Sequence, residues 1–372
     1  MKILILSCGT GGGHNSAAHA VEEEFLARGH SVTFLNPYDL CGGKVSHRVD
    51  GAYISIAQNA PRAFGAIYRL GNAYRRLPFR SPVYFANVHP AEKLAAYLAE
   101  HPVDAVVTTH IFPAEILTCL RSQGAPVPKT VYVATDYACV PFTEECQCDA
   151  YVIPSPELRQ DFQDYGIPQE KIYPFGIPVR RAFREPPSRE EAREALGLDG
   201  SCRYLLVSGG SIGAGKLEKA IGVLLELTAG TNLRLIVVCG SNTSVYAHLR
   251  RRFGDRVTLL MKTDRMAELV RACDLYFTKP GGLSTTEAAV MEAPLALLPP
   301  IPGCETVNRR FYCGHGCALA ADASPESLKA VLARLDDPAC WEAMRRCQRA
   351  AIPKNAPAQI CGLTESLCTR QT

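Results

Sequence analysis

The run Thr278-Lys279-Pro280-Gly281-Gly282-Leu283-Ser284-Thr285-Thr286-Glu287 sets a glycine turn directly ahead of three hydroxyl side chains and an acid. It follows the apolar Leu275-Tyr276-Phe277, so it reads as a strand, a turn and the start of a helix. Amides and hydroxyls at a helix N-terminus bind phosphate. A carboxylate one turn further in accepts hydrogen bonds from a ribose diol, and a nucleotide diphosphate has both needs. An ordinary strand–turn–helix corner is the plain alternative.

A second constellation is Cys8-Gly9-Thr10-Gly11-Gly12-Gly13-His14-Asn15-Ser16, behind the apolar Ile3–Leu6. Glycines such as Gly12 and Gly13 let backbone amides approach a ligand closely. His14, where the loop enters a helix, is suited to take a proton from a hydroxyl nucleophile. Asp136 ends another apolar strand, where it could orient an acceptor hydroxyl, act as base or polarise His14. Gly210-Ser211-Ile212-Gly213-Ala214-Gly215-Lys216 has the glycine and lysine spacing of an ATPase P-loop. Leu217, however, stands where magnesium coordination needs Ser or Thr, so a simpler phosphate-touching turn at Gly210 and Ser211 is expected. Gly240 and Ser241 end a strand and border the same ligand. Glu305 and Asn308 follow the rigid Pro299-Pro300-Ile301-Pro302-Gly303 segment, one helical turn apart, and are expected to hold sugar hydroxyls.

From Gly51 to Ala91 there is no Asp or Glu. Arg62, Arg69, Arg75, Arg76 and Arg80 interleave there with seven aromatics, Phe64 and Tyr68 among them. Arginine beside aromatic rings suits the headgroup zone of an anionic membrane; a solvated basic helix is the plain alternative. The net charge of +3 does not by itself point to nucleic acid, and none is expected as a partner. The sixteen cysteines are scattered behind no signal peptide, which favours reduced thiols. Cys146-x-Cys148 and Cys313/His315/Cys317 lack zinc spacing, so no metal site is expected. No apolar run is long enough to span a bilayer.

These residues need strands to carry them. At 372 residues two domains are expected. Apolar strands alternate with helices in both halves, which argues for parallel sheets covered on both faces. The expected fold class is α/β: two Rossmann-like doubly wound domains, over residues 1–178 and 188–350, facing across a cleft. A helical C-terminus over 351–372 is expected to pack back on the first.

Gly11-Gly12-Gly13-His14, Gly209-Gly210-Ser211, Thr278-Lys279-Pro280-Gly281-Gly282…Glu287 and Pro300-Ile301-Pro302-Gly303, taken together and in this order, resemble the lipid glycosyltransferases of family 28. Within it the likeness is to monogalactosyldiacylglycerol synthases and processive diacylglycerol glucosyltransferases. The resemblance implies a GT-B fold and inverting transfer of a hexose, glucose or galactose, from a UDP-sugar. The implied acceptor is a lipid such as diacylglycerol, met at the cytoplasmic face of the membrane by a peripherally bound enzyme that needs no cofactor. It implies catalytic roles for His14 and Asp136, diphosphate binding at Gly281, Gly282, Leu283, Ser284 and Thr285, and ribose binding at Glu287. The stretch with Phe64, Tyr68, Arg69, Arg75 and Arg76 would meet acceptor and membrane. Family members carry Gln where Cys304 stands. A UDP-sugar 2-epimerase of similar fold, or a transferase acting on a polyprenyl-linked acceptor, is the alternative.

Overall fold

The computed structural model describes residues 1–9, 12–43, 45, 46, 48, 51, 55, 56, 60–210 and 217–369. Two compact units divide the chain: one runs to Arg180 and takes in the segment from Pro353 on, and the other holds Arg181–Ile352. Among the described residues each unit is built on one parallel six-stranded sheet.

In the first unit Ile3, Leu4, Ile5 and Leu6 are all buried, as expected of a parallel strand with helices on both faces. Successive side chains of β1 (Lys2–Leu6) point to opposite faces. Ile3 and Ile5 join Val21 and Phe25 of α1 (Gly12–Ala27) and Ile360 and Cys361 of the C-terminal helix Ala356–Thr369. Leu4 and Leu6 join Leu94, Ile116 and Leu117 on the other face. Each such side chain contributes about 2 kcal/mol of burial. β1 pairs with β2 (Ser31–Leu35) on one side and β3 (Ala105–Thr108) on the other. The sheet continues through β4 (Lys129–Val133), β5 (Ala150–Val152) and β6 (Ile172–Tyr173). The C-terminal helix is tied to the end of α1 by Arg28, which donates to Glu365 and to the Ala358 carbonyl, and by His30, 2.8 Å from Glu365.

The arginine-rich stretch folds as α2 (Pro61–Tyr74) and α3 (Pro82–Ala86), ahead of α4 (Val88–Glu100). A Cβ on Gly71 would lie 3.1 Å from Pro141, so α2 rests closely on the segment after Asp136. The arginines have separate fates. Arg69 and Arg76 are exposed. Arg75, expected at the membrane, has a side chain only 1% exposed. Its guanidinium bonds both carboxylate oxygens of Glu144 (3.0 and 2.5 Å) and the Cys139 carbonyl, and lies 3.2 Å over the Tyr165 ring. The membrane assignment of Arg75 is therefore corrected: a cation buried against a fixed carboxylate has no charge to offer a lipid.

In the first unit β3 is followed by α5 (Ile111–Ser122). In the second, α6 (Arg189–Ala195) starts from a capping box formed by Ser188 and Glu191. The sheet of the second unit runs β12 (Leu319–Ala320), β11 (Leu295–Leu297), β10 (Leu275–Thr278), β7 (Arg203–Ser208), β8 (Leu233–Val238), β9 (Thr258–Leu260). β7 (Arg203–Ser208) lies between β8 (Leu233–Val238) and β10 (Leu275–Thr278). Asp274 sets the start of β10, accepting from the Tyr204 amide, Arg189 and Arg193.

Arg75→Met should cost about 3 kcal/mol by stranding the Glu144 carboxylate, lowering the urea midpoint. Arg76→Met should stay within about 0.5 kcal/mol. Equal responses would contradict the difference in burial.

Candidate functional site

Ligands of open α/β sheets collect beyond the carboxyl ends of strands, where the chain departs to opposite sides of its first strand. In the first unit that point lies between β1 and β3. Ser7 follows β1 and donates to Asn15 of α1 (2.7 Å). Gly12, Gly13 and His14 form the first turn of α1. Thr109, after β3, brackets His14. Its hydroxyl donates to the His14 carbonyl (3.0 Å), and its own carbonyl lies 2.8 Å from Nδ1 of the imidazole. A carbonyl can only accept, so Nδ1 carries the hydrogen and Nε2 keeps the lone pair. The Thr135 hydroxyl oxygen, 2.9 Å from Nδ1, shares that hydrogen.

Burial lowers the pKa of His14, and the neighbouring negative charge of Asp136 pulls it back up. A second imidazole, His110, packs edge-on against His14 at 4.5 Å. It accepts from the Phe112 amide through Nδ1 (3.1 Å), and burial, aided by His14, holds its pKa well below the usual range. Sequence reasoning missed His110. The signal was Thr108-Thr109-His110 at the end of a strand that neighbours the first one. His14, Asp136, Thr109, Thr135 and His110 thus form one cluster: a neutral base with a fixed tautomer and a carboxylate near it.

In the second unit the corresponding point lies between β7 and β10. α7 (Gly282–Val290) follows the turn after β10, and its first intrahelical bond runs from the Thr285 amide to Gly281 (3.1 Å). The amides of Gly282, Leu283 and Ser284 precede that bond and lie at the helix end. From 281 to 290 only Gly281, Ser284 and Glu287 are partly exposed, one stripe along a buried helix. Gly210, after β7, reaches this turn. Its φ of +73° suits glycine, and a Cβ there would come within 2.7 Å of the Lys279 side chain. Gly240, with φ of +62°, and the exposed Ser241 close the neighbouring strand β8.

Three expected ligand contacts turn inward instead. The buried Thr285 hydroxyl donates to the Gly281 carbonyl (2.8 Å), the usual recourse of a threonine inside a helix. Glu305 pairs with Lys279 and accepts from the Ile301 amide (2.8 Å). Asn308, fully buried, donates to the Pro280 carbonyl (3.0 Å). Glu305 and Asn308 brace the turn from behind rather than presenting groups to a sugar. Gly303 caps their helix with φ of +130°. Ser211 and the Phe64 side chain lie outside the described residues. Tyr68 is half-buried on α2 beside the exposed Arg69. Cys146 and Cys148 are buried thiols, and burial pushes Cys148 up to about 12. Among the described residues no group of three His, Cys, Asp or Glu is placed to hold a metal ion, and no helix is long and apolar enough to cross a membrane.

Comparison with known proteins finds likeness to lipid glycosyltransferases in sequence and to GT-B enzymes in fold. The monogalactosyldiacylglycerol (MGDG) synthase family model matches residues 14–179. A processive diacylglycerol beta-glucosyltransferase of Bacillus pumilus is 25% identical over 366 residues, covering 96% of this chain and 93% of the relative. A probable monogalactosyldiacylglycerol synthase of Glycine max is 26% identical, covering 94% of this chain and 68% of its own length. Among solved structures, MurG of Acinetobacter baumannii superposes with a TM-score of 0.60 at 17% identity, covering 98% and 99% of the two chains. A UDP-N-acetylglucosamine 2-epimerase gives 0.60 at 13% identity over 97% and 94%. The fold is GT-B, and it is common to both reactions. The resemblance to the diacylglycerol glycosyltransferases rests on sequence across nearly the whole chain.

The His14 imidazole should titrate below its ordinary value of 6.5. Asp136→Asn removes the charge that favours the imidazolium, so it should lower that pKa further. Proton-detected NMR of the imidazole gives the shift, and an upward move in the variant would separate Asp136 from His14.

Proposed function

We propose that this chain is an inverting glycosyltransferase that moves a hexose, glucose or galactose, from a UDP-sugar to the hydroxyl of diacylglycerol. The observation that carries the reading is the neutral His14, whose Nδ1 is held by Thr109 so that Nε2 keeps its lone pair, with Asp136 beside it. In the single displacement His14 Nε2 takes the proton of the lipid hydroxyl as that oxygen attacks the anomeric carbon. The bond from that carbon to the diphosphate oxygen breaks, and UDP leaves with the electron pair. The amides of Gly282, Leu283 and Ser284 and the Gly210 turn face the charge developing on the leaving phosphate, which is the role of preorganised dipoles. Glu287, on the same stripe as Ser284, takes the ribose. No cofactor beyond the sugar donor enters this scheme.

The acceptor is a membrane lipid, and the first unit has a surface suited to meet it. Five of the eight exposed large apolar side chains of the described chain fall between residues 67 and 85: Ile67, Leu70, Leu77, Phe79 and Phe85. Exposed Arg69 and Arg76 stand among them. Apolar side chains beside basic ones bind the interface of an anionic leaflet, here the cytoplasmic one, where UDP-sugars are available.

Incubation with UDP-glucose or UDP-galactose and diacylglycerol, followed by mass spectrometry of the lipids, should show hexosyl-diacylglycerol; release of UDP without any lipid product would reject the transfer. His14→Ala should lower kcat by about 10³-fold while UDP binding persists. Glu287→Ala should weaken UDP binding about tenfold, or ~1.4 kcal/mol, by calorimetry; unchanged affinity would remove Glu287 from the ribose.

A further inference from the structure

Beside the His14 cluster, and unused by the scheme above, the first unit holds a cavity of about 330 Å³. That lies at the small end of ligand cavities, which run from roughly 300 to 1,000 Å³. Tyr38, Cys41, Val83, Ala86, Pro90 and Phe112 form most of its wall. The polar atoms near it are spoken for. The Tyr38 hydroxyl donates to Asn87 (2.6 Å), whose amide donates to the Val83 carbonyl (2.9 Å). His89, also on the wall, is exposed and lies 3.5 Å from Glu92; apart from it and the Cys41 thiol, what is left is apolar. Val45, on the same wall, is partly open to solvent, and Phe85, next to Ala86 on α3, is 64% exposed. The cavity therefore has an apolar rim as well as an apolar wall.

Its inner end reaches the chemistry. The Phe112 ring meets Tyr38 at 6.3 Å on the cavity side and His110 at 4.7 Å on the other, and His110 meets His14 at 4.5 Å. Two ring contacts separate the cavity from the imidazole that would deprotonate the acceptor.

We infer that this cavity holds one acyl chain of the lipid acceptor, fixing the acceptor hydroxyl near His14. The inference rests on the reading of the chain as a lipid glycosyltransferase and assigns the acceptor's hydrocarbon part to Tyr38, Val83, Ala86, Pro90 and Phe112. Such a wall offers an alkyl chain dispersion and burial, and offers a free sugar or glycerol few groups to bond beyond His89 at its exposed edge.

Cys41 is a native reporter, since it lines the cavity and is partly exposed. Its alkylation by iodoacetamide, followed peptide by peptide, should slow about tenfold when dioctanoylglycerol is present at ten times its Kd, and glycerol should leave it unchanged. With wild-type enzyme, kcat/KM should rise about fourfold per added acyl methylene and then level off as the cavity fills. Ala86→Trp, with the urea unfolding midpoint as the check on folding, should flatten that dependence and abolish the protection. Cys41 alkylated at an undiminished rate under saturating lipid, or Ala86→Trp with the wild-type chain-length profile, would overturn the inference. Protection of Cys41 without any hexosyl lipid formed would uphold the cavity and remove the transferase reading.

Discussion

The parallel pairing of β1 with β3, and of β7 with β10, is the constraint on which the candidate residues of each unit depend. In each pair the chain leaves adjacent strands in divergent directions, and the loops that follow must meet at the carboxyl edge. Leu6 stands opposite Thr108, and Ser208 opposite Thr278. From the first register follows the approach of Thr109 to His14, and from the second the contact of Gly210 with Lys279. A slip of one residue in either pair would turn every side chain of the strand to the other face and dissolve the site with the core.

Much of the architecture was legible because parallel strands buried on both faces announce themselves. Ile3–Leu6, Leu205–Val207 and Tyr276–Phe277 are apolar without alternation. The glycine turns and His14 were legible for a related reason: each directly follows such a run. What could not be read is who faces whom over long separations. Glu144 lies 69 residues from Arg75, so the sequence showed a basic stretch and hid that Arg75 is neutralised. Glu305 lies 26 residues from Lys279, and the pairing of the two turned an expected sugar ligand into a brace. Thr285 followed local chemistry: beside a free helix end its hydroxyl found a carbonyl closer than any ligand. His110 was hidden for the opposite reason, since a histidine amid apolar residues at a strand end looks like ordinary core.

The charged groups sort by the same logic. Arginines whose guanidinium finds a fixed carboxylate serve the frame, as Arg75 does with Glu144 and Arg189 and Arg193 do with Asp274. Those left on the outer side of α2, Arg69 and Arg76, keep their charge in solvent beside Ile67 and Leu70. One helix thus presents a mixed basic and apolar face outward while its other side, through Gly71 and Arg75, is held to the segment that follows Asp136.

The C-terminal helix carries a consequence for how the protein is made. Ile360, Cys361 and Leu363 complete a core begun by Ile3, Ile5, Val21 and Phe25, so the first half to leave the ribosome is the last that can be finished. Residues 181–352 are contiguous and can collapse on their own contacts during synthesis. The nascent amino-terminal sheet, by contrast, is complete at Tyr173 but waits with part of one apolar face uncovered until the chain reaches Ile360. That interval of exposure, rather than the finished molecule, is when chaperone help matters most to this chain.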